Sequence, residues 1–359
     1  MIKEEISLKI AAVEKELHDT PYDKSTQFHH GVLKAKLSRL KDMLEEKITG
    51  GAGGGVGYAI KHSGDASVVL VGLPSVGKST LLNSVTNAES KVGNYDFTTL
   101  GVVPGMMEYK GIRIQILDLP GIIEGAASGK GFGRKVLSVI RASDLVVLMT
   151  DVARVEWLNK IKNEMENAGV RLNTKPPKMH IHRVGKGAVR IIDPFGGLDK
   201  EQAIEVVKEM GFDNVVIQLG EKITTIERFI DGLSKTRIYI PLVEVVTKID
   251  TVKSFKKDGA ILMNADKGVG VEEFKDRVWR KLGLVRVYLK RERTSEPDRI
   301  EPLIMKQGQT LKDVLKKIST QMSEDITRAF VWGKEARFPG QEVSFKYEVF
   351  DEMELWFGR

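Results

Sequence analysis

The apolar run SVVLVG breaks at Gly72 into GLPSVGKS, and GKSTLLNSVT follows with the composition of a helix. Gly72–Ser79 fits G-x-x-x-x-G-K-[ST] placed between a predicted strand and a predicted helix. That order commits the chain to an α/β fold with a phosphate-binding turn. Successive backbone N–H groups point inward at the phosphates, and the positive end of the helix dipole adds to them. Gly72 and Gly77 allow backbone positions closed to other residues. Lys78 can reach the β- and γ-phosphates, and the Ser79 hydroxyl can ligate Mg²⁺. Pro74, Ser75, Val76 and Thr80 complete the candidate loop.

Three further segments fall into line downstream. The strand-like run IRIQIL ends in Asp118, followed by Leu119-Pro120-Gly121. Asp118 is placed to be a direct or water-mediated partner of the same Mg²⁺, and the Gly121 N–H to contact the γ-phosphate. Between the two motifs lies GNYDFTTLGVVPG, in which Thr98 or Thr99 could reach the metal only while the γ-phosphate is present, the property that turns a loop into a switch. The run TKID, Thr247–Asp250, offers a carboxylate that can accept from guanine N1–H and N2–H₂ together, a donor pair adenine lacks. Lys248 can lie along the base, and in Asn264-Ala265 the Ala265 N–H can meet guanine O6. Ile122 follows Gly121 where many nucleotide switches carry a water-positioning Gln, so no residue of this sequence is assigned as the catalytic group.

Strands and helices alternate through most of the chain, the pattern of a mostly parallel sheet covered on both faces. Ahead of it, Ile2, Ile6, Ile10, Val13 and Leu17 form one helical stripe, and Leu33, Leu37, Leu40 and Leu44 a second, so residues 1–48 read as a helical hairpin with Lys34, Lys36, Arg39 and Lys41 on its outer face. Residues 49–65 are glycine-rich and read as a linker. Residues 66–283 form the nucleotide-binding domain, interrupted by an α/β insertion over 170–235 in which MHIHRVGKGAVRIID reads as a hairpin. His180 and His182 fall on one strand face as surface residues. RIYIPLVEVVTKID reads as one strand ending in Asp250. Residues 284–359 form a small mixed α/β module, with Thr310 and Asp313 at capping-box spacing.

The 359 residues contain no cysteine, which excludes disulfides and thiolate metal sites. The N-terminal residues lack the apolar run of a secretory leader, and no window approaches the roughly 18 apolar residues of a membrane span. A cytoplasmic protein without a membrane partner is expected, and a monomer. The formal charge of +7 favours a polyanionic partner such as nucleic acid.

GLPSVGKST, YDFTTLGVVPG and DLPGIIEGAASGKGFG in this order resemble a GTPase of the Obg class. GVLKAKLSRLKDML, the glycine-rich stretch, VVTKID and LGLVRVYLK make the whole chain similar to the developmentally regulated GTP-binding protein (DRG) family, as an archaeal member. The resemblance implies a helix-turn-helix-like hairpin, a P-loop GTPase domain with an inserted subdomain, and a C-terminal TGS domain of β-grasp type. It further implies Mg²⁺-dependent GTP binding with Ser79 and Thr99 as metal ligands and Asp118 nearby, slow hydrolysis to GDP and phosphate, and association with ribosomes or RNA and with a protein partner. Thr247 stands where the family of GTPases at large has Asn, and Asn264 where it has Ser; each is expected to remove a familiar side-chain contact at the guanine end. Ser75 occupies the position at which K⁺-dependent GTPases often carry Asn, leaving K⁺ a candidate activator without that ligand. Two other readings remain open on sequence: a P-loop ATPase or nucleotide kinase, and an RNA- or ribosome-binding module whose nucleotide is structural and negligibly turned over.

Overall fold

The computed structural model describes residues 2–49, 64–86, 103–119, 134–318 and 326–358. The chain divides into two compact units, one of Ile60–Glu164 with Ile240–Arg359 and the other of Met1–Ala59 with Met165–Tyr239.

The first unit is built on a six-stranded sheet. Its strands are β1 (Ala66–Gly72), β2 (Val103–Tyr109), β3 (Ile112–Asp118), β4 (Leu145–Asp151), β10 (Leu242–Thr247) and β11 (Ile261–Leu262), in the order β11-β10-β4-β1-β3-β2. All neighbours are parallel except the edge strand β2, which runs antiparallel to β3. Every residue of β1 and of β4 is buried, which is why both read as unbroken apolar runs rather than alternating ones. Lys110 (φ 50°) and Gly111 (φ 79°) join β2 to β3 by a two-residue turn with both central residues at positive φ, the hairpin geometry that matches strand twist. Helices α3 (Lys78–Val85), α4 (Arg134–Ala142), α5 (Trp157–Asn167) and α8 (Val271–Leu282) alternate with these strands, although α5 runs past the unit boundary.

The strand expected over RIYIPLVEVVTKID is two strands. β9 (Ile238–Ile240) pairs with β5 (Val170–Leu172) in a separate two-stranded sheet, and β10 begins only after Pro241. Proline has no N–H to give a ladder, while its carbonyl still accepts from Val146 N at 3.0 Å. Asp250 accordingly lies beyond the strand, in the one-turn 3-10 helix Ile249–Thr251.

The C-terminal part of this unit is a five-stranded sheet of β12 (Leu284–Leu289), β13 (Leu303–Lys306), β14 (Arg328–Trp332), β15 (Gln341–Val343) and β16 (Met353–Gly358), ordered β13-β12-β16-β14-β15 with the central pair β12–β16 parallel. Helix α9 (Leu311–Ile318) contributes Leu311 and Val314 to the core that this sheet covers, together with Val287, Val331 and Leu355. A parallel central pair, flanking antiparallel strands and one helix form the β-grasp arrangement. Half of the capping box is present: the Asp313 carboxylate accepts from Thr310 N at 3.0 Å, and from the Thr310 hydroxyl at 2.9 Å. Those bonds, the backbone one foremost, and Lys316 hold the Asp313 carboxyl down at about 2.

The second unit joins the hairpin to the insertion. Helices α1 (Ile2–Asp19) and α2 (Gln27–Thr49) form the hairpin. Helix α2 has two working faces. The leucine stripe is one; Gly31, Ala35, Ser38 and Asp42, at spacings of four and three, are buried along another. Ala35 belongs to the insertion's own core beside Val206, Ile217 and Phe229. Asp42 accepts from the Ser234 hydroxyl at 2.8 Å, and Arg237 Nη2 donates to Ser38 Oγ at 3.0 Å. The cations expected on an outer face are largely engaged here: Lys34 pairs with Glu227 (2.5 Å), Lys41 with Glu14 (3.0 Å), and Arg39 donates to the Glu209 carbonyl (3.0 Å).

The insertion itself contains β6 (Met179–Arg183), β7 (Arg190–Ile192), α6 (Lys200–Glu209), β8 (Val215–Leu219) and α7 (Ile226–Leu233). The hairpin expected from MHIHRVGKGAVRIID does not form. β8 lies between β6 and β7, antiparallel to the first and parallel to the second. The alternating VVIQL of β8 places Val215, Ile217 and Leu219 in the core, giving both flanking strands a better partner than each other. No helix among the described residues is long and apolar enough to cross a membrane.

Candidate nucleotide site

Because β1, β3, β4, β10 and β11 are mutually parallel, their carboxyl ends share one edge of the sheet, where α/β folds bind ligands. Every predicted site residue that is described lies on that edge or on the segment leaving it. Thr98, Thr99 and Gly121 fall outside the described residues, as does Ile122.

The loop after β1 is shaped by two different demands. A Cβ on Gly72 would lie 2.4 Å from the Met149 carbonyl oxygen of β4, so the strand contact itself requires glycine. A Cβ on Gly77 would meet Thr247 only at ordinary contact distance, 3.9 Å, but Gly77 sits at φ +88°, so there the demand is conformational. Ser75 also takes positive φ, 61°. Lys78 opens α3 with its ammonium folded back over the loop, donating to the Gly72 carbonyl at 3.1 Å and the Leu73 carbonyl at 3.0 Å. Burial lowers its pKa, Asp118 acts in the opposite sense, and Arg154 adds to the lowering.

Beside it, Ser79 Oγ donates to Asp118 Oδ2 at 2.9 Å. Asp118 is 2% exposed, and its Oδ1 is buried without a hydrogen-bond partner among the described residues. Buried polar atoms without partners are costly and rare. A hydroxyl and a carboxylate with a spare acceptor form an all-oxygen donor set suited to a hard divalent cation, so the residues present fit Mg²⁺.

Thr247 does more than the sequence reading expected. Its hydroxyl lies 2.7 Å from the Val76 carbonyl and 3.1 Å from the Thr150 carbonyl, tying the phosphate loop to the ends of β10 and β4. Thr247 therefore makes a side-chain bridge to this loop. Lys248 follows in a left-handed conformation (φ 57°) with Nζ 3.6 Å from Asp151 Oδ2. Asp250 pairs with Lys267 at 3.2 Å. That hydrogen bond, followed by the Asp250 N–H, holds its carboxyl below the usual range. Asn264 Oδ1 accepts from Lys267 N at 3.2 Å and caps the one-turn helix Ala265–Lys267. The two short helices are neighbours because β10 and β11 pair, Val245 opposite Ile261 and Val246 opposite Leu262.

Sequence reasoning missed Asp151 and Arg154. Arg154 grips the Asp151 carboxylate through Nε (3.2 Å) and Nη2 (2.6 Å), and Nη2 also donates to the Pro74 carbonyl at 3.2 Å. Arg154 is the chief cause of the lowered Asp151 pKa. The available signal was an Asp closing a buried strand, the same position Asp118 holds on β3.

Residues 67–186 match the family model described as a 50S ribosome-binding GTPase, and residues 186–284 the C-terminal region of that domain. The chain is 42% identical over 360 residues to a GTP-binding protein of Methanocaldococcus jannaschii, covering 96% of this chain and 91% of that one. It is 39% identical to a GTP-binding protein of Halobacterium salinarum, covering 96% of each. Developmentally-regulated G-protein 2 of Arabidopsis thaliana is 35% identical over 356 residues, 96% of this chain and 89% of that protein. The chain belongs to the DRG family of GTP-binding proteins. This DRG protein has the P-loop GTPase fold expected from the motif, and in its candidate site Lys78, Asp118 and Thr247 are buried while Asp250 is exposed on a one-turn helix.

Proposed function

We propose that this DRG protein is a Mg²⁺-dependent GTPase that turns GTP over slowly to GDP and phosphate and acts as a switch on ribosomes or RNA. The Ser79–Asp118 pair with its spare buried acceptor carries the reading most directly. Ser79, Asp118 and, in the triphosphate state, Thr99 would hold Mg²⁺, which when bound neutralises charge on the β- and γ-phosphate oxygens. Gly72 to Thr80 wrap the phosphates, with Lys78 leaving the loop carbonyls for phosphate oxygens. Thr98 and Gly121 complete the γ-phosphate end. Asp250, Lys248, Asn264 and Ala265 read guanine, and Thr247 holds the phosphate loop in register with them. The Ile122 side chain offers no hydrogen bond to water, so another group, a monovalent cation such as K⁺ or a residue supplied in trans orients the nucleophile. The family's description as ribosome-binding supports the ribosomal partner, and the β-grasp module, read as a TGS domain, is assigned to that contact.

Single-turnover hydrolysis of GTP with and without ribosomes tests this. Slow basal turnover, near or below ~10⁻² s⁻¹ by analogy with intrinsic GTPases, accelerated by ribosomes and competed by GDP but not ADP, is expected. Competition by ADP would favour the ATPase reading. Absence of turnover under both conditions would favour a structural nucleotide.

A further inference from the structure

Lys34, Arg39 and Lys41 of the hairpin are engaged inside the second unit, and a dense run of positive charge lies on the insertion. Lys175 to Ile192 carries five Lys or Arg and two His without one Asp or Glu, against a net charge of +7 for the whole chain. The register sorts these residues. On β6, Met179 and Ile181 pack against the core, so His180 and His182 face outward; on β7, Ile191 packs inward and Arg190 and Ile192 face outward. Across the sheet this makes two rows, His182–Val216–Arg190 and His180–Gln218–Ile192. Lys178 precedes the first strand and Lys186 sits in the following turn, both exposed.

Among the described residues no carboxylate pairs with Lys178, His180, His182, Lys186 or Arg190. Of the carboxylates nearest in sequence, two are otherwise engaged and the third precedes the sheet's middle strand. Asp193 is held by the backbone N–H groups of Phe195, Gly196, Gly197 and Leu198, Glu221 pairs with Arg228, and Asp213 lies in the turn before β8. Lysines at sheet edges commonly block unwanted pairing, but that function does not need an acid-free face. The face has planar and apolar groups in its middle, imidazoles, a guanidinium, an amide, Val216 and Ile192, with ammonium groups at its rim.

We infer that this outer face of the three-stranded sheet is a binding surface for single-stranded RNA. Bases stack on His180, His182 and Arg190 and meet the Gln218 amide, while Lys178 and Lys186 neutralise phosphates. The inference deepens the ribosome-or-RNA reading above and assigns it a location that reading leaves open.

The test uses the full chain and a fluorescein-labelled 20-nucleotide polyuridylate, followed by anisotropy between 50 and 200 mM salt. A Lys178→Glu/Lys186→Glu/Arg190→Glu variant should lose at least about tenfold in affinity, and its log K against log salt slope should flatten by about 1.4, near 0.7 for each of the two lost phosphate contacts. Lys3→Glu/Lys15→Glu/Lys24→Glu, which changes net charge equally on the hairpin, should keep the slope. GTP binding and the urea midpoint should be unchanged in both. Equal losses in the two variants, or polyglutamate competing as well as polyuridylate, would overturn the assignment. Ribosome co-sedimentation separates the two levels: a wild-type chain that sediments with ribosomes yet ignores polyuridylate sinks this surface and leaves the switch reading standing.

Discussion

The two ends of the candidate site are built differently. At the phosphate end Lys78, Asp118 and Thr247 are 7%, 2% and 4% exposed, and each is tied to backbone or to a neighbouring side chain. At the base end Asp250 is on the surface, carried on a single helical turn and paired with Lys267 across a second such turn. Burial holds Asp118 and Thr247 in place, because moving either would strand a polar atom without water. The base end is held by a solvent-screened ion pair, which contributes little to folding and which guanine donors can replace at Asp250. On the proposed reading of the site, affinity for phosphate is coupled to folding of the sheet, while selectivity for the base is not.

The largest effect should come from the exposed end. Asp250→Asn removes the acceptor for two guanine donors and should weaken GTP roughly tenfold to thousands-fold while improving xanthosine triphosphate, with folding untouched. Nucleotide titration checks this, and unchanged GTP affinity would remove Asp250 from the site and with it the exposed half of the comparison.

Thr247→Val keeps the shape but deprives the buried Val76 and Thr150 carbonyls of their donor. A loss of about 1–3 kcal/mol in unfolding free energy is expected, seen as a lower urea midpoint with weaker GTP binding. A variant as stable as the parent would show that the phosphate loop does not depend on this bridge.

Lys267→Ala should be the mildest, leaving stability unresolved from the parent and GTP affinity within about twofold. Its signature is in pH. Lys267 holds the Asp250 carboxyl below its usual range, so the carboxylate that accepts from guanine persists as pH falls, and affinity should be lost only below the ordinary carboxylate range. Without Lys267 that loss should move to higher pH. Identical pH profiles for parent and variant would mean the ion pair does not govern the base reader.

Much of the site was legible because its signals are local. Gly77, Lys78 and Ser79 are close in sequence and sit on one turn of backbone, whereas Gly72 is demanded by the Met149 carbonyl of the neighbouring β4. Asp118 closes an apolar run, and Thr310 with Asp313 spans a single helical turn. What escaped notice depends on partners far along the chain. Arg154 acquires a role only because β4 lies beside β1 and brings it to Pro74. The carbonyls that Thr247 bridges belong to residues 171 and 97 positions away.

The pattern of apolar runs, glycines and a lysine determined a phosphate-binding turn on a parallel sheet, since each of those choices is dictated by backbone geometry within a few residues. Only the tertiary structure decided which strands of the insertion would pair, that Gly31, Ala35, Ser38 and Asp42 make a second face on α2, and that the cations of α2 are largely engaged while Arg190 of β7 meets no carboxylate among the described residues. Strand order and charge pairing are settled by competition among distant segments for burial and for partners, and a strand such as β8 wins its place between β6 and β7 by the core it fills.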